Sequence, residues 1–186
     1  MFIFFRYKYA CLKIYDSALC LEMYHFIGVR LFNFRGDILS KFMNYAIQLA
    51  QMVDGQTGVN PPVGSVVVKD GRIVGIGAHL RKGDKHAEVQ ALDMAQSEAN
   101  GATIYVSLEP CTHHGSTPPC VDKIIEAGIH KVIYAVKDTT LISKGDDIFK
   151  NAGIEVEFQY NAVAAQLYQD FFTAKRNGIP CLLYTS

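Results

Sequence analysis

The sequence lacks an excess of charge of either sign. Its 186 residues include 18 Lys and Arg against 18 Asp and Glu, so the formal net charge is zero. Non-specific nucleic-acid binding needs a broad basic field, and this balance argues against one. Hydrophobic residues make up 49% and charged residues 19%, as in an ordinary globular protein with one domain and extensions. We therefore expect no nucleic-acid partner.

Long uninterrupted apolar runs are absent as well. A membrane-spanning helix needs about 20 consecutive apolar residues, and charged side chains interrupt the apolar stretches near the N-terminus. The opening Met-Phe-Ile-Phe-Phe has no basic region before it and no clear small-residue cleavage site after it, so it is not typical of an export signal. We expect a cytoplasmic protein without a membrane partner.

Cysteine is scarce. An odd, sparse set in a chain of this length is not typical of a secreted disulfide framework. The set favours a cytosolic protein whose thiolates bind a metal, and purely structural thiols are the alternative. The five cysteines are Cys11, Cys20, Cys111, Cys120 and Cys181.

Residues 1–42 differ from the rest of the chain. They contain 11 of the 21 Phe and Tyr residues, and neither helical nor strand periodicity persists there. At Met43 a clean amphipathic helix pattern begins. We interpret residues 1–42 as an atypical N-terminal extension and hypothesise that it is translated upstream sequence, with Met43 as the natural start. The alternative is a genuine extension that packs on the domain.

From Met43 onward, helical and strand patterns alternate as in an α/β domain. Lys69-Asp70-Gly71 separates two apolar runs and is a strong hairpin signal. We expect Asp84 to cap the second helix, and Thr117 with Pro118 to begin the third. The order predicts a mainly parallel sheet with helices on both faces and the opening hairpin as its antiparallel edge. The predicted helices cover about 43–54, 85–97, 117–128, 146–152 and 161–175, and the predicted strands 65–68, 72–76, 103–108, 131–136 and 155–158.

Three metal-binding residue types stand where elements begin or end. His86 lies at the start of a predicted helix, Cys111 follows a predicted strand, and Cys120 lies in the first turn of the next helix. One imidazole and two thiolates are good zinc ligands, and they leave a tetrahedral position open for water. Glu88 is two positions from His86, so it does not share its helical face and is a poor fourth ligand. It can instead move protons over the open site.

Each of these residues alone is weak evidence. A single His at a helix start is more often a surface or capping residue, and two cysteines nine positions apart are more often buried thiols. Together they indicate a catalytic zinc, because H-x-E followed by P-C and a second Cys is the pattern of zinc nucleobase deaminases. Structural zinc is the rival interpretation, with a fourth ligand from His113, His114 or His79.

The segment from Glu109 to Cys120, EPCTHHGSTPPC, resembles the deaminase of bacterial riboflavin biosynthesis. Most zinc nucleobase deaminases place two residues between their cysteines, whereas eight stand here with an internal H-x-G-x-T-P-P. Asn60-Pro61-Pro62-Val63-Gly64, the G-x-G-x-H stretch ending at His79, and His86-Ala87-Glu88 match as well. The resemblance covers about residues 43–178. It implies a three-layer αβα cytidine deaminase-like fold with a mixed five-stranded sheet and an N-terminal antiparallel hairpin.

The resemblance implies a reaction. Water would replace the 2-amino group of 2,5-diamino-6-(5-phosphoribosylamino)pyrimidin-4-one, giving the 5-aminouracil and ammonia. It implies Zn²⁺ as cofactor, a phosphorylated pyrimidine as small-molecule partner, and dimers or tetramers. Its site residues fall on positions of this chain: metal ligands His86, Cys111 and Cys120, acid/base Glu88, and substrate-binding Asn60, His79 and Asp138.

Two departures from the family pattern concern the ribose phosphate. The family shows D-P-N-P after the fourth strand, but this chain has Asp138-Thr139-Thr140-Leu141, and Ser116 stands where a Lys is common. We therefore expect weaker turnover or other groups on the phosphate. The alternatives are a related zinc deaminase acting on another base and a non-catalytic, zinc-stabilised module.

The C-terminal part of the sequence carries a further expectation. We assign the deaminase domain to 43–160, and 161–186 to a last helix and a truncated linker. In bifunctional members of the family a reductase domain follows, and residues 176–180 resemble the approach to it. The dinucleotide-binding glycine-rich loop of a reductase is missing from the sequence, so we predict no reductase activity for this chain.

Overall fold

The computed structural model describes residues 34–113, 118–139 and 145–177, with side chains from Lys41 onward. Contacts divide the chain into two compact units, residues 1–37 and 38–186. Within the described ranges, we find no helix with the length and apolar character to cross a membrane. The predictions for the remainder of residues 1–42, for Ser116 and for Leu141 lie outside the described residues.

A helix and a β-hairpin come first, and helices and strands then alternate along the chain. A 3₁₀ turn, Gln96–Ala99, follows the second helix. In chain order the elements are α1 Phe34–Met52, β1 Gly64–Lys69, β2 Arg72–Ala78, α2 Ala87–Ala95, β3 Thr103–Val106, α3 Cys120–Glu126, β4 Lys131–Tyr134, α4 Gly145–Asn151, β5 Glu155–Phe158 and α5 Ala162–Asn177.

The five strands form one mixed sheet in the order β2-β1-β3-β4-β5. β1 pairs antiparallel with both β2 and β3, whereas β3, β4 and β5 pair in parallel. The register of the hairpin shifts between Val67 and Val68, which marks a bulge. The mixed sheet and its edge hairpin are confirmed. The reversed strand is β1, one position inside the edge, because β2 again runs in the direction of β3.

Helices cover both faces of the sheet, which confirms the three-layer αβα fold. One apolar core lies between the sheet and α2, α3 and α4, and includes Ile104, Ile124 and Phe149. The other lies between the sheet and α1 and α5, and includes Ile133 and Tyr168. Burial of these apolar side chains on both faces supplies the main stabilisation of the fold.

Glycines in the hairpin allow two helices to lie directly on the strands. A Cβ added at Gly64 would come 2.0 Å from the carbonyl oxygen of Ala46 in α1. A Cβ at Gly77 would come 2.1 Å from the carbonyl oxygen of Ala87, the first residue of α2. Real Cβ atoms do not approach oxygen so closely, so only glycine permits this packing.

Three predicted helix starts differ from the structure by more than one residue. α1 begins at Phe34, nine residues before the predicted start, and Phe42 is buried against the ring of Tyr105. Gly36 and Asp37 in this added segment are poor helix formers, which concealed the earlier start. α2 begins at Ala87 with His86 as its N-cap, while Asp84 pairs with Arg81 instead of capping the helix.

The start of α3 was also predicted too early. Pro119 is the N-cap, with φ −57° and ψ 138°, and the helix begins at Cys120. Pro118 precedes another proline, and a residue before proline is disfavoured in the helical region. The consequence is that Cys120, the candidate ligand, is itself the first residue of the helix.

Candidate active site

Three elements bring His86, Cys111 and Cys120 together. His86 is the N-cap of α2, Cys111 follows the end of β3, and Cys120 opens α3. The His86 Nδ1 atom lies 3.2 Å from the Cys120 Sγ atom and 3.6 Å from the Cys111 Sγ atom. All three donor atoms lie within 4.8 Å of one another, which is the spacing of a metal site.

The donor set and its spacing fit zinc. Zinc binds sulfur at about 2.3 Å and nitrogen at about 2.0–2.1 Å in tetrahedral sites, which puts a nitrogen and a sulfur ligand about 3.6 Å apart. The two nitrogen–sulfur distances here are 3.2 and 3.6 Å. Among the described residues, no other donor joins this group. His79 and His113 are therefore not fourth ligands in this arrangement, and His114 lies outside the described residues.

The contacts around Cys111 favour its thiolate, the form that binds metals. The Cys120 side chain, the His86 ring and the Cys120 backbone N–H all interact with the Cys111 sulfur, the last at 3.3 Å. These hydrogen bonds outweigh burial and lower the pKa of Cys111 to about 4. The same pairing raises the pKa of Cys120.

Glu88 lies in the first turn of α2, beside the triad but outside the group of donor atoms. Its side chain is only 3% exposed. Burial, reinforced by the nearby negative charge of Cys111, raises the pKa of Glu88 to about 7. A carboxyl group in this environment both accepts and donates protons near neutral pH.

Asn60 and His79 form a hydrogen-bonded pair next to the triad. The Asn60 amide Nδ2 lies 3.1 Å from the His79 Nε2 atom, and the His79 Nδ1 atom lies 3.4 Å from the Lys85 carbonyl oxygen. The Nδ2 atom can only donate, so His79 Nε2 accepts and His79 Nδ1 carries the ring proton. Burial is the main cause that lowers the pKa of His79, which keeps the ring neutral. The His79 ring meets the His86 ring edge to face, with 5.2 Å between centroids.

Asp138 follows β4 at the same end of the sheet as Cys111. It is half-buried, and its backbone N–H donates to Glu109 Oε2 at 3.2 Å. Glu109 lies two residues before Cys111, so this bond connects the loop after β4 to the loop after β3 that carries Cys111. Asp138 is thereby placed at the end of the sheet that carries the triad, and its expected substrate contact stays a prediction.

Two residues of the site were not given a role from the sequence. Glu109 bridges two loops as described above, and an acidic residue directly after a buried strand was the signal for it. Thr57 is 3% exposed, and its hydroxyl donates to the Asn60 carbonyl oxygen at 2.6 Å. A threonine three residues before an asparagine gives little signal by itself.

Comparison with known proteins places this geometry in a family. The family model for the cytidine and deoxycytidylate deaminase zinc-binding region matches residues 37–136. The riboflavin biosynthesis protein RibD of Aquifex aeolicus is 49% identical over 140 residues, which are 74% of this chain and 39% of that protein. The chain thus spans about two fifths of that relative.

Two further relatives agree. A diaminohydroxyphosphoribosylamino-pyrimidine deaminase of Buchnera aphidicola is 41% identical over 142 residues, which are 75% of this chain and 97% of that protein. A solved structure of Acinetobacter baumannii RibD superposes with a TM-score of 0.73 at 44% identity, over 76% of this chain and 41% of that one. The resemblance stated from the motifs is confirmed, as is zinc as the cofactor of the family. The chain belongs to the zinc-binding deaminase family and, within it, to the riboflavin-biosynthesis deaminases.

Proposed function

We propose that this chain catalyses hydrolytic deamination of 2,5-diamino-6-(5-phosphoribosylamino)pyrimidin-4-one to the corresponding 5-aminouracil. The observation that carries the proposal is the convergence of His86, Cys111 and Cys120 next to the buried Glu88. Three protein ligands leave a coordination position for chemistry, and a structural site would fill it. The 41% identity to a deaminase that this chain covers almost completely supports the choice of substrate.

The proposed metal ligands are His86, Cys111 and Cys120. Zinc, when bound, supplies a Lewis acid that makes water a nucleophile near neutral pH. The chain supplies the geometry of the site. His86 occupies the N-cap position of α2 and Cys120 is the first residue of α3, so the positive dipole ends of two helices lie at the proposed ligands.

Glu88 is the proposed proton carrier. The reaction adds water at the ring C2 atom and expels the 2-amino group as ammonia, so protons move from water to a ring nitrogen and then to the departing amine. Of the buried residues in the described ranges, Glu88 is the one with a carboxyl group. Its position beside the triad lets one group serve each of these transfers.

Asn60 and His79 are the proposed contacts to the pyrimidine. The Asn60 side chain keeps its amide oxygen and a second N–H for a planar heterocycle, and the neutral His79 ring, bonded at both nitrogens, orients that amide. Asp138 is the proposed contact near the ribosyl phosphate, at the end of the sheet where both loops meet. The proposed partner of the site is thus a small phosphorylated pyrimidine. We further propose that the protein is a cytoplasmic homo-oligomer that binds neither nucleic acid nor membrane.

The test is ammonia release from the proposed substrate, compared with cytosine, guanine and adenosine. Glu88→Gln should lower kcat at least ~10³-fold while about one zinc per chain remains, because the ligands are intact. Glu98→Gln is the matched control, since Glu98 is exposed and pairs with Arg72. Full activity of Glu88→Gln would remove the proton-carrier role, and faster release from another base would remove the substrate assignment.

A further inference from the structure

A chain of buried hydrogen bonds connects α5 to the base of the proposed site. The Tyr168 side chain is 0% exposed, and its hydroxyl lies 2.6 Å from the Ser107 Oγ atom. Ser107 is also fully buried, and its Oγ atom accepts the Gly64 backbone N–H at 3.0 Å. The Ser107 N–H returns a bond to the Gly64 carbonyl oxygen at 3.0 Å.

We call the paired bonds between Gly64 and Ser107 the junction. Each of its two residues adjoins a loop of the proposed site. Gly64 begins β1 and directly follows Asn60-Pro61-Pro62-Val63, which we call the substrate loop. The Val63 carbonyl oxygen accepts the His79 N–H at 2.9 Å, so the substrate loop is bonded to His79 at both Asn60 and Val63. Ser107 directly follows β3 and lies four residues before Cys111, so it begins the loop that carries this proposed ligand. The junction is therefore the common origin of the two loops.

The chemistry of the Ser107 hydroxyl explains why Tyr168 matters to this junction. A hydroxyl has one hydrogen and two lone pairs and rotates freely unless its partners fix it. With Tyr168 bonded on one side, the Ser107 Oγ atom directs a lone pair towards the Gly64 N–H. Burial, and secondarily the charge of Glu88, raise the pKa of Tyr168, so its hydroxyl stays neutral. If either hydroxyl is removed, the other is left buried without its hydrogen-bond partner, which costs free energy.

We propose that Tyr168 is a positioning residue for the substrate loop. It acts through Ser107, whose hydroxyl accepts the hydrogen bond from the Gly64 N–H at the point where that loop meets β1. Its consequence for turnover rests on the proposed function. The role also makes α5 part of the deaminase site, although the triad of His86, Cys111 and Cys120 contains no residue of α5. The ring of Tyr168 packs on Phe172 independently of the hydroxyl.

The test is Tyr168→Phe, which removes one oxygen and keeps the ring. We expect the KM for the pyrimidine to rise roughly fivefold, with kcat changed less than about twofold and zinc content unchanged, because the substrate loop loses its fixed origin. Independently of any substrate, amide hydrogen exchange at Gly64 and His79 should accelerate about tenfold.

The matched control is Tyr134→Phe. Tyr134 is also 0% exposed, and its hydroxyl donates to Asp146 at 3.0 Å, on the opposite face of the sheet. Loss of that bond should lower thermal stability without changing exchange at Gly64 or His79. Ser107→Ala is a second variant, and it should accelerate exchange at Gly64 as Tyr168→Phe does.

The outcomes separate this proposal from the proposed function. Equal exchange at Gly64 and His79 in Tyr168→Phe and Tyr134→Phe would overturn the positioning role, as would unchanged Gly64 exchange in Ser107→Ala. If the wild-type chain releases no ammonia from the pyrimidine but exchange accelerates as expected, the proposed substrate fails and the positioning role stands. An unchanged KM in an active Tyr168→Phe chain would restrict Tyr168 to stability alone and reject the proposal.

Discussion

The two halves of the candidate site are assembled in different ways. On the hairpin side, Asn60 and His79 bond directly to each other. The Asn60 carbonyl oxygen also accepts the Thr57 hydroxyl, and the His79 Nδ1 atom contacts the Lys85 carbonyl oxygen. On the metal side, the His86 Nδ1 atom lies 3.2 Å from the Cys120 Sγ atom and 3.6 Å from the Cys111 Sγ atom. The half proposed to bind substrate, the substrate half, is thus held by hydrogen bonds between protein groups, whereas the half proposed to bind zinc, the metal half, presents three metal-ligand side chains.

The largest effect is expected from breaking the metal half. Cys111→Ser and Cys120→Ser each replace a soft thiolate with a hydroxyl, so zinc should be lost and activity should fall at least ~10³-fold. Metal analysis and ammonia release on the same samples measure both. Melting temperature should fall on treatment of the wild type with a chelator and stay unchanged in the two variants. Retained zinc in both variants would contradict the ligand assignment.

A smaller, separate effect is expected from the substrate half. Asn60→Ala removes the amide that bonds His79, so the KM should rise about tenfold with zinc content unchanged. Steady-state kinetics with metal analysis checks this. Gln56→Ala is the control from the segment between α1 and β1. Gln56 is exposed, and its side-chain amide donates to the Met52 carbonyl oxygen. Loss of zinc in Asn60→Ala would show that the two halves are not independent.

The smallest effect is expected from Thr57. Thr57→Val keeps the shape of the side chain and removes the hydroxyl that donates to the Asn60 carbonyl oxygen. We expect a loss of about 1 kcal/mol in the free energy of unfolding and a two- to threefold rise in KM. Urea unfolding and kinetics measure these. Thr173→Val is the control, since Thr173 is exposed and its hydroxyl donates to the Gln169 carbonyl oxygen within α5. Equal KM in the two variants would exclude a role for Thr57 in the pocket.

The difference between the halves also explains what could be predicted from the sequence. His86, Cys111 and Cys120 stand at boundaries between elements, and boundaries of neighbouring strands and helices meet at one end of an α/β sheet. Their convergence therefore followed from the order of helices and strands. The bond between Asn60 and His79 joins residues 19 apart through the register of the hairpin. Residue spacing alone does not contain that register, so the family resemblance was needed.

Other features could not be predicted for physical reasons of their own. Tyr168 reaches Ser107 across 61 positions, and its burial depends on how α5 packs on the sheet. The start of α1 at Phe34 was hidden because Gly36 and Asp37, close to the beginning of the helix, are poor helix formers. The late start of α3 depends on two successive prolines, whose joint backbone restriction was underestimated.

Gly77 has a consequence for how this site can vary. Its missing side chain lets the first turn of α2 rest on the backbone of β2, and that turn carries both a candidate ligand and the candidate proton carrier. Backbone atoms in direct contact cannot adjust as side chains do when a neighbour changes size. New substrates would therefore be accommodated by the surrounding loops, while the distance between reactive groups and the strand remains constant.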